Sequence, residues 1–157
     1  MAVKVLQHKS EIKDARRELR RRGISYMTNS WITRLVHRLK LRRIITVGHI
    51  LKSWDILTTV DFIQEHLQAA DSILDIGAYT SEILCALHRL KYTALTGIDL
   101  DSNVVRMPFA DKIRYEVGDF MHTHFADETF SAITATSVIE HGFQSGALLK
   151  EVTRLLR

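Results

Sequence analysis

Three carboxylates stand where short apolar runs end, a position from which a side chain can hold a ligand. Asp75 precedes Gly77 in the segment LDIGAYTS, Asp99 closes TGID, and Asp119 follows EVG. Gly77 lets the backbone approach a ligand closely, which a residue with a Cβ does less readily. Asp99 follows the glycine turn at the distance where a carboxylate accepts from both hydroxyls of a ribose. Asp119 could accept from an adenine amino group while Phe120 or Leu100 packs on the ring face. Glu140 and His141 follow in SVIEH. A histidine has the right unperturbed pKa to take a proton from an attacking hydroxyl or amine near neutrality, although the pair could equally serve to orient the loop before Gly142. His122 and His124, with no carboxylate pair or cysteines nearby, read as a solvated loop rather than a metal site. Cys85, the single cysteine, falls among Ile83, Leu84 and Leu87 and reads as a small core residue rather than a nucleophile.

These residues need a frame to converge. From Asp71 onward the pattern alternates between strand and helix: strands are expected over residues 72–76, 94–98, 113–117 and 130–136. Helices are expected over 81–90 and 146–156, with a short helical piece at 103–107 that Pro108 interrupts. The amides that open the 81–90 helix carry partial positive charge. Parallel neighbours need crossover connections, so the alternation implies an α/β fold, a doubly wound parallel sheet with its ligands outside the carboxyl ends of the strands.

The first third of the chain differs. Residues 11–22 form an expected helix with Ile12, Ala15 and Leu19 on one side, ended by Gly23, and most of its arginines should face water or a partner. A second helix opens at Asn29 or Ser30 and sets Trp31, Ile32, Leu35, Val36 and Leu39 on one face. Residues 44–51 are apolar and ambiguous. Ser53 is a cap for a third helix that runs to about Ala69 with Ile56, Leu57, Val60, Ile63 and Leu67 apolar. Residues 1–55 hold 14 Lys or Arg against 4 Asp or Glu, whereas residues 56–157 hold 8 against 14. The asymmetry implies two segments with different tasks: a basic helical extension or lid over residues 1–52, and a ligand-binding domain over 53–157.

The motifs LDIGAYTS, GIDLD, EVGDF and FADETFSAITATSVIEH together resemble the class I, Rossmann-like methyltransferases that use S-adenosyl-L-methionine. The resemblance spans residue 72 to about residue 142, and the helix through Arg157 also fits. It implies that the turn of Asp75, Gly77, Ala78 and Tyr79 surrounds the methionine part of the cofactor and that Asp99 holds the ribose. It also implies that Asp119 and Phe120 hold the adenine, that Thr136 and Ser137 floor the pocket, and that Glu140 and His141 lie on its substrate side; of that pair His141 is the candidate base. The family's turn carries glycine where this chain has Tyr79 and Ser81, and the family continues into a fifth strand beyond Arg157. The expected sheet is therefore C-terminally incomplete, its fourth strand at an edge that another subunit could cover.

The leading expectation is methyl transfer from S-adenosyl-L-methionine to an unidentified, possibly acidic acceptor. The alternatives are a non-catalytic binding or scaffold protein, suggested by Tyr79 and Ser81, and a nucleic-acid-binding module built on the basic helices. A packing or lid role for those helices is preferred, because they also present continuous apolar faces. A nicotinamide site is disfavoured, since its G-x-G-x-x-G fingerprint would require glycine at Tyr79 and Glu82. With 46% apolar and 25% charged residues, no transmembrane stretch and no signal-like start, the sequence reads as a soluble cytoplasmic protein.

Overall fold

Ile73, Leu74 and Ile76 are all fully buried because the strand they form, β1 (Ile73–Ile76), lies inside a sheet covered on both faces. The computed structural model describes residues 5–28, 45–136, 138 and 145–157; the helix expected from Asn29 or Ser30 lies outside them. Beside β1 run β2 (Leu95–Asp99) and β4 (Ala132–Ala135), and β3 (Arg114–Val117) pairs with β2. All three pairings are parallel, and the order is β3-β2-β1-β4. This is the Rossmann-like parallel sheet expected from the alternation.

Strand pleating divides the core. Ile73 faces a cluster that contains Leu19, Ile24, Val47, Ile56, Val60, Ile63, Leu84 and Leu87. Leu74 and Ile76 turn the other way, into a cluster with Ile98, Phe120, Phe130, Leu148 and Leu155. Helices α1 (Lys9–Arg21), α2 (Ser53–His66) and α3 (Ile83–Arg89) supply the first cluster, and α4 (Ser145–Leu155) supplies the second. Cys85 is fully buried in the first, and desolvation pushes its thiol up to about 12, as expected of a core thiol.

Several boundaries differ from the sequence expectation for local reasons. α1 opens at Lys9 rather than at residue 11 because the Glu11 carboxylate accepts from the backbone N–H groups of Gln7 and His8, at 3.0 and 2.6 Å, which closes the first turn early. Gly23, at φ +70°, ends it, and the N–H of Ile24 returns to the carbonyl of Leu19 at 3.0 Å. Ser53 is not the cap of α2 but its first residue, and it is buried. Its hydroxyl accepts from Arg16 Nε at 2.9 Å. α2 stops at His66, short of Ala69, because Leu67 turns extended and Asp71 Oδ2 accepts from the N–H of Gln68 at 2.7 Å.

α3 starts at Ile83 rather than Ser81, since Thr80 adopts a left-handed conformation at φ +62°. At 130–136 the strand shrinks to Ala132–Ala135: Phe130 instead donates to the carbonyl of Leu155 at 2.9 Å and accepts from the N–H of Arg157 at 3.1 Å. The end of α4 thus takes the backbone groups that the strand would have used.

Candidate cofactor-binding site

The carboxyl ends of β1 and β2 are tied together before any side chain contributes. The N–H groups of Gly77 and Ala78 both donate to the carbonyl of Ile98, at 3.0 and 3.1 Å. Gly77 sits at φ +72°, and a Cβ there would lie 2.7 Å from Val138 Cγ2. Backbone conformation and close approach therefore both demand glycine. Ala78 is buried beneath the turn. The chain then passes through Tyr79 and the left-handed Thr80 to Ser81, whose Oγ accepts from the N–H of Ile83 at 3.3 Å.

Asp99, at the end of β2, faces this turn. Its Oδ2 accepts from the N–H of Tyr79 at 2.9 Å and its Oδ1 from the N–H of Asp101 at 2.8 Å. A carboxylate offers about four lone-pair sites, so two backbone donors leave room for a ligand's hydroxyls. Asp75 is buried directly under the turn. Its Oδ1 accepts from Thr134 Oγ1 at 2.6 Å, while Oδ2 has no hydrogen-bond partner. Burial raises its carboxyl to about 6, against the hydrogen bond from Thr134 and with the charge of Asp99 adding to the rise.

A cavity of about 530 Å³ opens in front of these strand ends, within the usual range for a small-molecule site. Of the residues singled out from the sequence, Gly77, Tyr79, Asp99, Leu100, Phe120 and Thr136 line it. Asp75 and Ala78 do not; they support the turn from below. Asp119 does not line it either, and its Oδ1 accepts from the N–H of Met121 at 2.8 Å. Ser137, Glu140 and His141 lie outside the described residues. His122 and His124 have no part in the cavity; His124 Nε2 is 3.2 Å from Glu116 Oε2. Among the described residues no cluster of His, Cys, Asp or Glu is arranged to hold a metal ion.

The opposite wall is formed by the first third of the chain. Thr46, Gly48, His49, Lys52 and Ile56 all line the cavity; the sequence marked Ile56 only as part of a helix's apolar face, and none of the five as a site residue. The one available signal was a glycine and a histidine inside the apolar stretch 44–51. His49 Nδ1 accepts from the N–H of Leu51 at 3.3 Å, so in the neutral ring the proton is on Nε2.

The cavity suits S-adenosyl-L-methionine on two structural grounds. Asp99 has acceptor capacity beyond its two backbone donors, and Phe120 and Leu100 supply an apolar surface for a ring. Residues 74–157 match the sequence profile of the methyltransferase domain. The chain belongs to that family.

Solved structures share its fold. A protein from Pyrococcus horikoshii OT3 superposes with a TM-score of 0.59 at 19% identity, over 70% of this chain and 55% of its own. A putative S-adenosyl-L-methionine-dependent methyltransferase from Methanococcus maripaludis superposes at 0.57 and 14% identity, over 99% of this chain and 64% of its own. At these identities the likeness is one of fold. This methyltransferase domain thus spans roughly half to two thirds of those two structures' length. No curated protein matches it. Among the described residues no helix is long and apolar enough to cross a membrane.

Proposed function

We propose that this methyltransferase domain binds S-adenosyl-L-methionine in the cavity at the ends of β1 and β2 and takes part in methyl transfer to an acceptor. The observation that carries the reading is the Asp99 carboxylate, held by the N–H groups of Tyr79 and Asp101 at the rim of a cavity that Gly77, Leu100 and Phe120 also line. When bound, the cofactor supplies an electrophilic methyl group on a sulfonium. Asp99 would accept from the ribose hydroxyls, and Phe120 and Leu100 would pack on the adenine. The turn of Gly77, Ala78 and Tyr79, supported by Asp75, would border the methionine part, and Thr136 would floor the pocket. His141, which follows Glu140 in the sequence, would take the proton of the acceptor. Holding donor and acceptor in line supplies much of the rate in such a displacement.

Four of the five arginines over residues 16–22 favour a packing role for α1 over a nucleic-acid arm. Arg16, Arg17, Arg21 and Arg22 each pair with a carboxylate of this chain, namely Glu82, Asp14, Glu18 and, for Arg22, Glu18 and Asp61. Their charge is therefore largely answered within the protein.

Calorimetric titration with S-adenosyl-L-methionine and with S-adenosylhomocysteine tests the reading. Saturable binding of both is expected. A folded sample that binds neither at millimolar concentration would remove it.

A further inference from the structure

Arg16 belongs to α1, yet its side chain is buried against the cofactor turn. Only 2% of Arg16 is exposed, and its Nη1 donates to Glu82 Oε1 at 2.7 Å and to Ser25 Oγ at 3.0 Å. Nε donates to Ser53 Oγ, the first residue of α2. Glu82 follows the turn directly, its side chain is fully buried, and it lines the cavity. The same Oε1 also accepts from the N–H of Tyr26 at 2.7 Å. One ion pair therefore joins α1, the segment after it, the start of α2 and the residue that closes the turn.

Two further contacts converge on this point. The N–H of Gly48 donates to the carbonyl of Thr80 at 2.9 Å. Thr80 is a β-branched residue at φ +62°, a conformation that persists only where surrounding structure imposes it. Gly48, itself at φ +75°, is packed so closely that a Cβ would lie 2.6 Å from Glu82 Oε2. The turn that has Tyr79 and Ser81 in place of glycines is thus held from outside, by backbone and charge contributed by residues 16–53.

We propose that Arg16 is a positioning residue for the cofactor site: through Glu82 it clamps the N-terminal segment onto residues 79–82, fixing the strained turn and setting Gly48, His49 and Lys52 as the far wall of the cavity. The consequence is that the cofactor site is complete only while α1 is docked. This rests on the cofactor assignment for its functional meaning, but the clamp itself is a property of the protein without ligand.

Hydrogen exchange followed by mass spectrometry on the unliganded chain tests the clamp, with S-adenosylhomocysteine affinity as the second reading. In Arg16→Met, exchange in the peptide covering residues 79–83 should rise by about tenfold or more while α4 keeps its protection, because local opening is separable from global unfolding. Affinity should fall by about tenfold or more, and Arg16→Lys should recover part of both, since it restores a charge without the guanidinium fork. If exchange rises equally in the turn and in α4, or the turn is unaffected, Arg16 serves general stability and the proposal is overturned. If Arg16→Met does not fold, Arg16→Met/Glu82→Gln removes both charges, leaves neither buried alone, and is judged by the same exchange and affinity criteria. A parent protein that fails to bind S-adenosylhomocysteine would defeat the cofactor assignment, whereas the exchange result would still decide the clamp.

Discussion

The backbone N–H of Tyr79 donates to Asp99 Oδ2 at 2.9 Å, so the turn after β1 and the end of β2 share one carboxylate. Asp99 therefore has two tasks, shaping the turn and facing the cavity. Asp99→Ala should lower S-adenosylhomocysteine affinity by about 100-fold, given roughly 1.5–3 kcal/mol for each hydrogen bond to a charged group. Calorimetry reads this directly. An affinity within about twofold of the parent would put the ribose elsewhere.

Asp75 makes a prediction about pH. Its carboxyl is raised by burial from 3.8 to about 6, so between those values the folded state holds a proton that the unfolded chain has lost. Stability from this group is full below about pH 4 and is lost as pH rises through 6, an effect of about 3 kcal/mol. Asp75→Asn should remove that slope. The difference in urea midpoint between parent and variant, measured from pH 4 to 7, should change steadily across the window; a constant difference would contradict the assignment.

Glu151 has the opposite sign. It accepts from the N–H and Oγ1 of Thr123 at 2.8 and 2.7 Å and from Arg154 Nη2 at 2.7 Å. The Arg154 hydrogen bond leads in holding its carboxyl down at about 2. Its contribution is present above about pH 4.5 and lost as pH falls through 2. Glu151→Gln should cost about 1–3 kcal/mol at pH 7, because the half-buried donors that meet a charge would meet a neutral amide. Chemical denaturation at pH 7 and near pH 2.5 should show the deficit shrinking in acid.

Gly77 is limited by both conformation and space. Gly77→Ala should destabilise by about 1–3 kcal/mol through its positive φ, with a further loss from the Cβ held 2.7 Å from Val138 Cγ2. Adding Val138→Ala should recover the steric part and leave the conformational part. A double variant no more stable than Gly77→Ala would show that the clash with Val138 is not the limiting contact.

The alternation of strand and helix after residue 71 was legible in the sequence because hydrophobic periodicity is local: each strand of four or five residues carries its own pattern. Gly77 and Asp99 were legible for a related reason, since a strand end followed by glycine or a carboxylate marks a turn with few alternatives. The boundaries depended on contacts between distant segments. Phe130 left its strand because the end of α4 took its backbone groups, and Ser53 became an acceptor for Arg16 instead of a cap.

Most of all, periodicity treats an arginine as solvent-facing. It could not show that Arg16 would be buried against Glu82, 66 positions away, or that residues 46–52 would form the far wall of the cavity. Burial of a guanidinium becomes tolerable only when a carboxylate and several acceptors arrive around it together. That coincidence exists only in the folded chain. The sequence determined the sheet and the residues at its rim, and the tertiary structure decided what closes the space in front of them.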